Sequence, residues 1–483
     1  MNAETGAPRR RPHHLIADAV RAFIGMLTRH PLSLIGSTIA TAASTIFLIF
    51  FVLGLFGMEQ HPYVGILAYV VLPTLFVLGL ALIPIGLRRA RKQKPGATAF
   101  PIIDLNREPV RNRVMVFIVL TVVNVVIIAV ATYKGVEVMD TKAFCGETCH
   151  TVMAPEFTAL QRGAHASVNC VDCHIGPGAG WFVKSKLSGS WQVVSVTFDL
   201  YPRPIPTPVH NLRPARETCE QCHWPQKFVG DRLKVLTKYA EDEANTEKKT
   251  VLLLRVGGVE GRESKGIHWH VDPANSIRYR SDESREQIYE VELTGPGGRS
   301  ERWLAPGADQ GEKATAGVWR QMDCVDCHNR PSHTFHTPDE EVDKALQDGL
   351  IARDLPYVHR EGLRLIKADY TDQDAARTGI RAGLETFYAQ NYPEIAKGRS
   401  ADLDAAAAAL YTAWSSNVFP RMNVGWGTYP NHIGHQSSPG CWRCHDDEHR
   451  SRDGRTISQD CDTCHSLLAE EEKDPAILRT LAP

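Results

Sequence analysis

The sequence predicts three membrane-spanning helices followed by a mainly α and irregular head, interrupted by a small β insertion and a helical insertion. Three observations carry that reading. Three long uncharged runs crowd into the first 132 residues, and all twelve cysteines fall later, in six short cysteine–histidine motifs. Between the motifs the pattern turns once to short β-branched stretches and once to helical periodicity. A length of 483 residues allows about three domains. The formal net charge of −1 gives no bulk attraction for nucleic acid, and none is expected as a partner.

The uncharged runs are 32–58, 64–87 and 114–132. Each has about the length that a bilayer core of ~30 Å requires. Buried core helices would not account for three such runs packed so closely, and the first lacks the cleavage site of a signal peptide. Arg9, Arg10, Arg11, Arg21 and Arg29 precede the first run, and eight Lys or Arg residues lie in the 88–113 loop. The short EQHPY link has none. The positive-inside rule therefore puts residues 1–31 and the 88–113 loop in the cytoplasm and everything after Thr132 outside. This is a three-pass protein of a bacterial inner membrane, with 32–132 as its membrane part.

The motifs are Cys145–Cys149–His150, Cys170–Cys173–His174, Cys219–Cys222–His223, Cys324–Cys327–His328, Cys441–Cys444–His445 and Cys461–Cys464–His465. Five are C-x-x-C-H and the first is C-x-x-x-C-H, one residue longer. C-x-x-C-H attaches c-type haem: two thiols add to the porphyrin vinyl groups and the adjacent histidine reaches the iron. A disulfide framework explains an even cysteine count but not a histidine after every pair. With 20 histidines in 483 residues, six coincidences are not credible. Zinc ribbons need only two pairs. The head is predicted to be a multihaem c-type cytochrome with six covalent haems c, on the side where such haems are attached.

Residues 133–227 hold three motifs. Between the second and third lies WFVKSKLSGSWQVVSVTFDLYPRPIPTP, whose Trp181, Phe182 and Trp191 suit a lipid interface with Lys184 and Lys186 at headgroup level, or equally an ordinary surface helix on the haem head. Residues 228–305 contain RLKVLTKY, TVLLLRVGG, SIRYR, IYEVELTG and RSERWLA, a small antiparallel sheet. The fourth motif occupies 306–337. Helical patterns follow at 338–354, 358–369, 373–390 and 400–417, within a segment 338–420 that has no cysteine. Residues 421–483 carry the last two motifs.

Each motif histidine fills at most one axial position, so the second ligand comes from elsewhere. Outer histidines near a motif are the candidates: His165, His210, His333, His336, His432 and His435. His268 and His270 in GIHWHVD alternate as in a strand, which would turn one of them to a haem. Met153, three residues after His150, is a candidate thioether ligand that would raise the first haem's potential or leave its iron exchangeable.

The stretch from Cys145 to about Pro225, with CGETCHTVM, HASVNCVDCH and ETCEQCHW, resembles the NapC/NirT/NrfH family of membrane-anchored quinol dehydrogenase cytochromes. The longer PRPIPTPVHNLRPARETCEQCHW, CVDCHNRPSH and YPNHIGHQSSPGCWRCH are similar to its larger ImcH-type branch, implicated in passing electrons from the quinol pool towards extracellular acceptors. The resemblance implies oxidation of menaquinol at the membrane face of the first haem. Met153 then corresponds to the family's methionine ligand, although one residue further from CH, and His165 to a distal ligand of another haem. Lys184 or Lys186 falls where the family keeps a lysine near the quinol. The expected carboxylate is absent from SGSWQVVSVTFD, leaving Gln192 or Asp199 as substitutes.

The resulting expectation is a quinol dehydrogenase that reduces a periplasmic cytochrome or reductase. Quinol oxidation releases two protons outside, and Glu59 and His61 in the outer EQHPY turn lie at the depth for an acceptor. The alternative is an anchored terminal reductase of nitrite, hydroxylamine or a sulfur oxyanion, which needs an iron with an open face. The surplus of outer histidines argues against one, and no C-x-x-C-K is present. A sensor reading lacks a cytoplasmic output domain.

Overall fold

The computed structural model describes residues 30–55, 71–93, 105–147, 150–176, 179–208, 213–224, 228, 230–257 and 266–481. It divides into two units, Met1–Thr148 and Cys149–Pro483.

The first unit contains helices α1 (Pro31–Leu55), α2 (Leu72–Gln93), α3 (Glu108–Met139) and the short α4 (Lys142–Glu147). Pro31–Phe50 and Leu72–Arg89 are long and apolar enough to cross a bilayer, and the third uncharged run lies inside α3. Lipid is as apolar as leucine, so helices associate there through small residues that let backbones touch. Gly36 and Gly79 do this between α1 and α2. A Cβ on Gly36 would stand 2.6 Å from the Gly79 carbonyl oxygen, and one on Gly79 2.7 Å from Ala40 N. Beside them the Ser33 hydroxyl donates to Ile83 O at 3.1 Å, next to Pro84, which interrupts the ladder of α2. Ala43 and Phe47 of α1, Leu72 and Phe76 of α2, and Ile127 and Ala131 of α3 share one apolar cluster.

The second unit starts with α5 (His150–Arg162), α6 (Cys170–His174), α7 (Ala179–Thr197) and α8 (Ala215–Cys219). The β-branched stretches run as β1 (Asp231–Tyr239), β2 (Glu247–Arg255), β3 (Ser276–Ser281), β4 (Ile288–Thr294) and β5 (Ser300–Leu304). They form two sheets rather than one, because β1 and β2 do not pair with β3–β5, and later segments add edges: β6 (Val318–Gln321), β7 (Arg450–Ser451) and β8 (His465–Glu472). The orders are β1-β2-β8 and β6-β3-β4-β5-β7, all antiparallel. β8 begins at His465 itself, paired with Leu254. In the larger sheet Arg278, Glu292 and Arg302 stand opposite one another on β3, β4 and β5, and Glu292 accepts from both arginines at 2.6 and 2.5 Å. Opposite charges directly across strands stabilise the pairing.

GIHWHVD is not a strand. Residues Ile267–Val271 make a 3₁₀ turn between β2 and β3, so the alternation expected of His268 and His270 does not apply. The fourth motif forms α9 (Cys324–Cys327). The cysteine-free segment folds as α10 (Pro338–Gln347), α11 (Val358–Ile366), α12 (Gln373–Asn391), α13 (Pro393–Gly398) and α14 (Ser400–Ser415). Thr337 and Glu340 cap α10 reciprocally, with Pro338 at its first turn. Leu346, Ile366, Ile380, Leu384, Leu410 and Trp414 fill its core, which also takes in Tyr239 of β1. The chain closes with α15 (Ala476–Leu481).

Candidate haem sites

The second to sixth motifs each fold as a single turn. His223 N, His328 N and His445 N bond to the carbonyl of the first cysteine of their own motif at 2.8, 2.8 and 3.0 Å. A helical turn places i, i+3 and i+4 on one face, so both thiols and the imidazole point the same way. Local sequence secures the turn. In NCVDCH and DCVDCH the residue before the first cysteine and the aspartate of the motif cap one another, as Asn169 with Asp172 and Asp323 with Asp326. The fifth motif has Arg443 at the equivalent position. It reaches across instead, donating to Asp326 O and Arg285 O, each at 2.6 Å. Among the described residues no cysteine is in a disulfide, so the thiols are left for another bond.

Five motif imidazoles each face an outer imidazole. The ring centres of His174 and His333 are 6.2 Å apart, His223 and His165 5.9 Å, His328 and His268 6.5 Å, His445 and His270 5.8 Å, and His465 and His435 6.2 Å. With a metal–imidazole bond of about 2 Å and a ring centre about 1.1 Å behind its nitrogen, two rings on opposite sides of one metal stand about 6.3 Å apart. The observed gaps fit one iron each. Both His268 and His270 face a motif histidine, since the 3₁₀ turn points them at two different motifs.

Hydrogen bonds fix the tautomers. His165 Nδ1 lies 3.0 Å from Pro331 O, His268 Nδ1 3.1 Å from Val256 O, His270 Nδ1 2.8 Å from Ile267 O and His333 Nδ1 2.9 Å from Glu156 O. On the motif side His445 Nδ1 lies 2.8 Å from Ser458 O. A carbonyl only accepts, so Nδ1 is the donor and Nε2 is left bare to bind metal. Burial, reinforced by the facing histidines, pushes the pKa values of His174 and His328 down. Burial also lowers that of His270, against the opposing effect of its bond to Ile267. All three changes favour the neutral form that ligates.

The remaining described outer histidines meet carboxylates. His336 Nδ1 is 2.8 Å from Glu341, His432 Nε2 2.8 Å from Glu286, His449 Nδ1 2.8 Å from Asp446 and His359 Nε2 3.0 Å from Asp343. Among the described rings, the candidates His336 and His432 do not face a motif histidine. Cys149, the side chain of His150, His210, the side chain of Lys186, Glu59 and His61 lie outside the described residues. Cys145 belongs to the first unit, and Met153 sits half-buried on the first turn of α5.

Consecutive motifs adjoin. Cys219 and Cys324 are close enough for one thiol to donate to the other; that bond lowers the Cys219 pKa and raises that of Cys324. Cys173 is raised by burial and then by Cys219, and Cys464 by burial and then by Cys441. Burial, with Cys441 nearby, pushes Cys327 up to about 11. The second to sixth motifs thus neighbour one another in chain order.

On α7, Leu187, Trp191, Val194 and Phe198 recur at helical spacing and are all exposed, Trp191 by 63% and Leu187 by 69%. The Lys184 ammonium lies 4.6 Å from the centre of the Trp181 ring. Gln192 is exposed, while Asp199, just past the helix, is ion-paired with Arg203.

Two residues with a part in these sites carried no sequence signal. Glu156 places its carbonyl and its carboxylate, 2.9 and 3.4 Å away, against His333 Nδ1, and is paired with buried Arg330 at 3.4 Å. Trp442 lies flat on His435. Neither belongs to a motif's required residues, and only the fold brings them to a histidine.

Comparison with known proteins places the chain in a family. Residues 108–203 match the N-terminal region of the NapC/NirT cytochrome c family. The chain is 40% identical over 450 residues to the cytochrome c-type protein ImcH of Geobacter sulfurreducens, an alignment covering 92% of this chain and 88% of that protein. No solved structure matches.

Proposed function

Because the chain belongs to the NapC/NirT family of membrane-anchored, multihaem c-type cytochromes of quinol-linked electron transport, we propose that it oxidises menaquinol at the outer face of the inner membrane and reduces a periplasmic cytochrome or reductase. Six covalent haems c supply the one-electron chemistry. The protein's part is to hold them in a fixed row and to exclude other ligands from their irons. Menaquinol gives up two electrons and two protons, becoming menaquinone. The membrane part crosses three times, and Glu59 and His61 are the proposed proton acceptors.

The observation that carries this reading is the five facing imidazole pairs. A terminal reductase needs an iron with one face free for substrate, and none of these five motifs has one. We assign the axial pairs as His174 with His333, His223 with His165, His328 with His268, His445 with His270, and His465 with His435. Met153 is assigned to the first site, where a thioether raises the reduction potential relative to two imidazoles. The exposed apolar stripe of α7 supports contact with membrane lipid, and Lys184 or Lys186 the binding of the quinol. The adjoining thiols support a row that follows chain order from the second to the sixth motif.

Carbon monoxide tests the reading on the purified full-length protein. Dithionite-reduced protein should carry six haems by pyridine haemochrome and bind carbon monoxide at no more than the one methionine site. A menaquinol analogue should reduce the haems without added reductase substrate. Carbon monoxide uptake at two or more haems per chain would favour the anchored reductase.

A further inference from the structure

Four of the five outer histidines are oriented by a carbonyl on Nδ1, whereas His435 has no such carbonyl among the described residues. Its ring lies on the indole of Trp442 instead, with centres 4.1 Å apart and planes 11° from parallel. Trp442 is the first residue between the cysteines of the fifth motif, yet His435 faces the histidine of the sixth. The backbone makes this contact firm. Cys441 N donates to Gly434 O at 2.9 Å and Trp442 N to Pro439 O at 2.7 Å, so the loop from His432 to Trp442 closes on itself. Gly440 adopts a positive φ of 47° at the closure, and a Cβ there would run into the Gly434 carbonyl.

We propose that Trp442 is a positioning residue for the sixth haem site: its stacked indole sets the plane of His435 and so the 28° angle between the His435 and His465 rings. This rests on the assignment of His435 and His465 as an axial pair. A stacked aromatic pair contributes an amount comparable to the neutral hydrogen bond that orients the other rings. The stack therefore substitutes for the missing carbonyl. The angle matters because two parallel imidazole planes split the iron d orbitals along one direction, giving a rhombic spectrum. Perpendicular planes leave those orbitals nearly degenerate, and the spectrum becomes strongly anisotropic. The pairs at 7° and 28° belong to the first kind and those at 77° and 79° to the second.

Electron paramagnetic resonance of the oxidised full-length protein tests this with Trp442→Leu, Trp442→Phe and His435→Ala, alongside haem counting. His435→Ala should remove one rhombic component and so identify the sixth site. Trp442→Leu should displace or broaden that component alone, and Trp442→Phe should do the same to a smaller degree, with six haems retained. If Trp442→Leu costs a haem, the Phe variant decides: an unmoved component overturns the proposal. The proposal alone falls if His435→Ala removes the component and neither Trp442 variant moves it. If His435→Ala removes nothing, the axial assignment falls and takes the proposal with it.

Discussion

Replacing His270 by alanine removes one of two imidazoles presented by a single 3₁₀ turn, and the consequences are countable. His270 faces His445 with planes at 77°, and among the five facing histidine pairs the other near-perpendicular one is His165 with His223 at 79°. The strongly anisotropic part of the oxidised spectrum should then integrate to two haems per chain in the parent protein and to one in the variant. The fifth site should in turn bind one carbon monoxide when reduced. His268, two residues away and 7° from parallel with His328, should keep its rhombic signal if the turn holds. Its own anchor, the bond from Nδ1 to Val256 O, does not involve His270. Low-temperature spin integration and carbon monoxide titration on one preparation give both numbers. An anisotropic signal still worth two haems, or no new carbon monoxide site, would refute the pairing. Loss of the fourth site's signal as well would mean that the turn collapsed, and His270→Leu, which refills the volume without offering a ligand, then repeats the measurement.

Glu156→Gln removes a negative charge beside His333 and leaves Arg330 unpaired, so the second site should become easier to reduce, by roughly three- to tenfold in its equilibrium. Potentiometric titration reads this as one component moving up by about 59 mV per factor of ten; a downward move would contradict the geometry. Glu341 is buried, which raises its pKa, but the bonds from His336 and Arg162 outweigh burial and hold the carboxyl down to about 2, against an unfolded value of 4.5. A depressed carboxyl stabilises the fold above its unfolded pKa and loses that contribution as pH falls from about 4.5 to 2. Glu341→Gln should therefore cost roughly 3 kcal/mol at pH 7 and little below pH 2.5. Urea unfolding at the two pH values checks this, and an equal cost at both would remove the carboxylate from the explanation.

The sequence announces some of this plainly and hides the rest for physical reasons. Covalent attachment demands cysteines at fixed spacing, so the haem motifs are legible at once. The strands from Asp231 to Leu304 are legible because each is short, rich in β-branched and aromatic residues, and bounded by Gly, Asn, Asp or Ser. Which strands share a sheet is not legible: β8 joins β2 across some two hundred residues, and no local pattern encodes that pairing. Proximity to a motif picks out His165, His333 and His435, and in the structure each of these rings lies near a motif histidine. It fails to say which one. His165 stands five residues before Cys170 yet faces His223, and His333 follows the fourth motif yet faces His174. A short tether keeps a residue on its own motif's side, so the opposite face is reached from elsewhere in the chain. His336 and His432 look equivalent in sequence but have carboxylates beside them, which only the fold reveals.

The facing pairs also bear on how such a chain could be made. His174 waits for His333, His223 reaches back to His165, His328 and His445 take neighbours on one turn of the β insertion, and His465 turns to His435. Apart from the third site, none of these closes within the segment that resembles the shorter family members. A growing polypeptide would expose a half-finished second site for some 160 residues of synthesis before its partner arrived. Thioether attachment needs only the local motif and can proceed on the unfolded strand. Completion of the second site is deferred until just over two thirds of the protein has been delivered. The interleaving makes the head an all-or-nothing object: cut after His223, it keeps three attachment motifs and leaves the second of them without its partner.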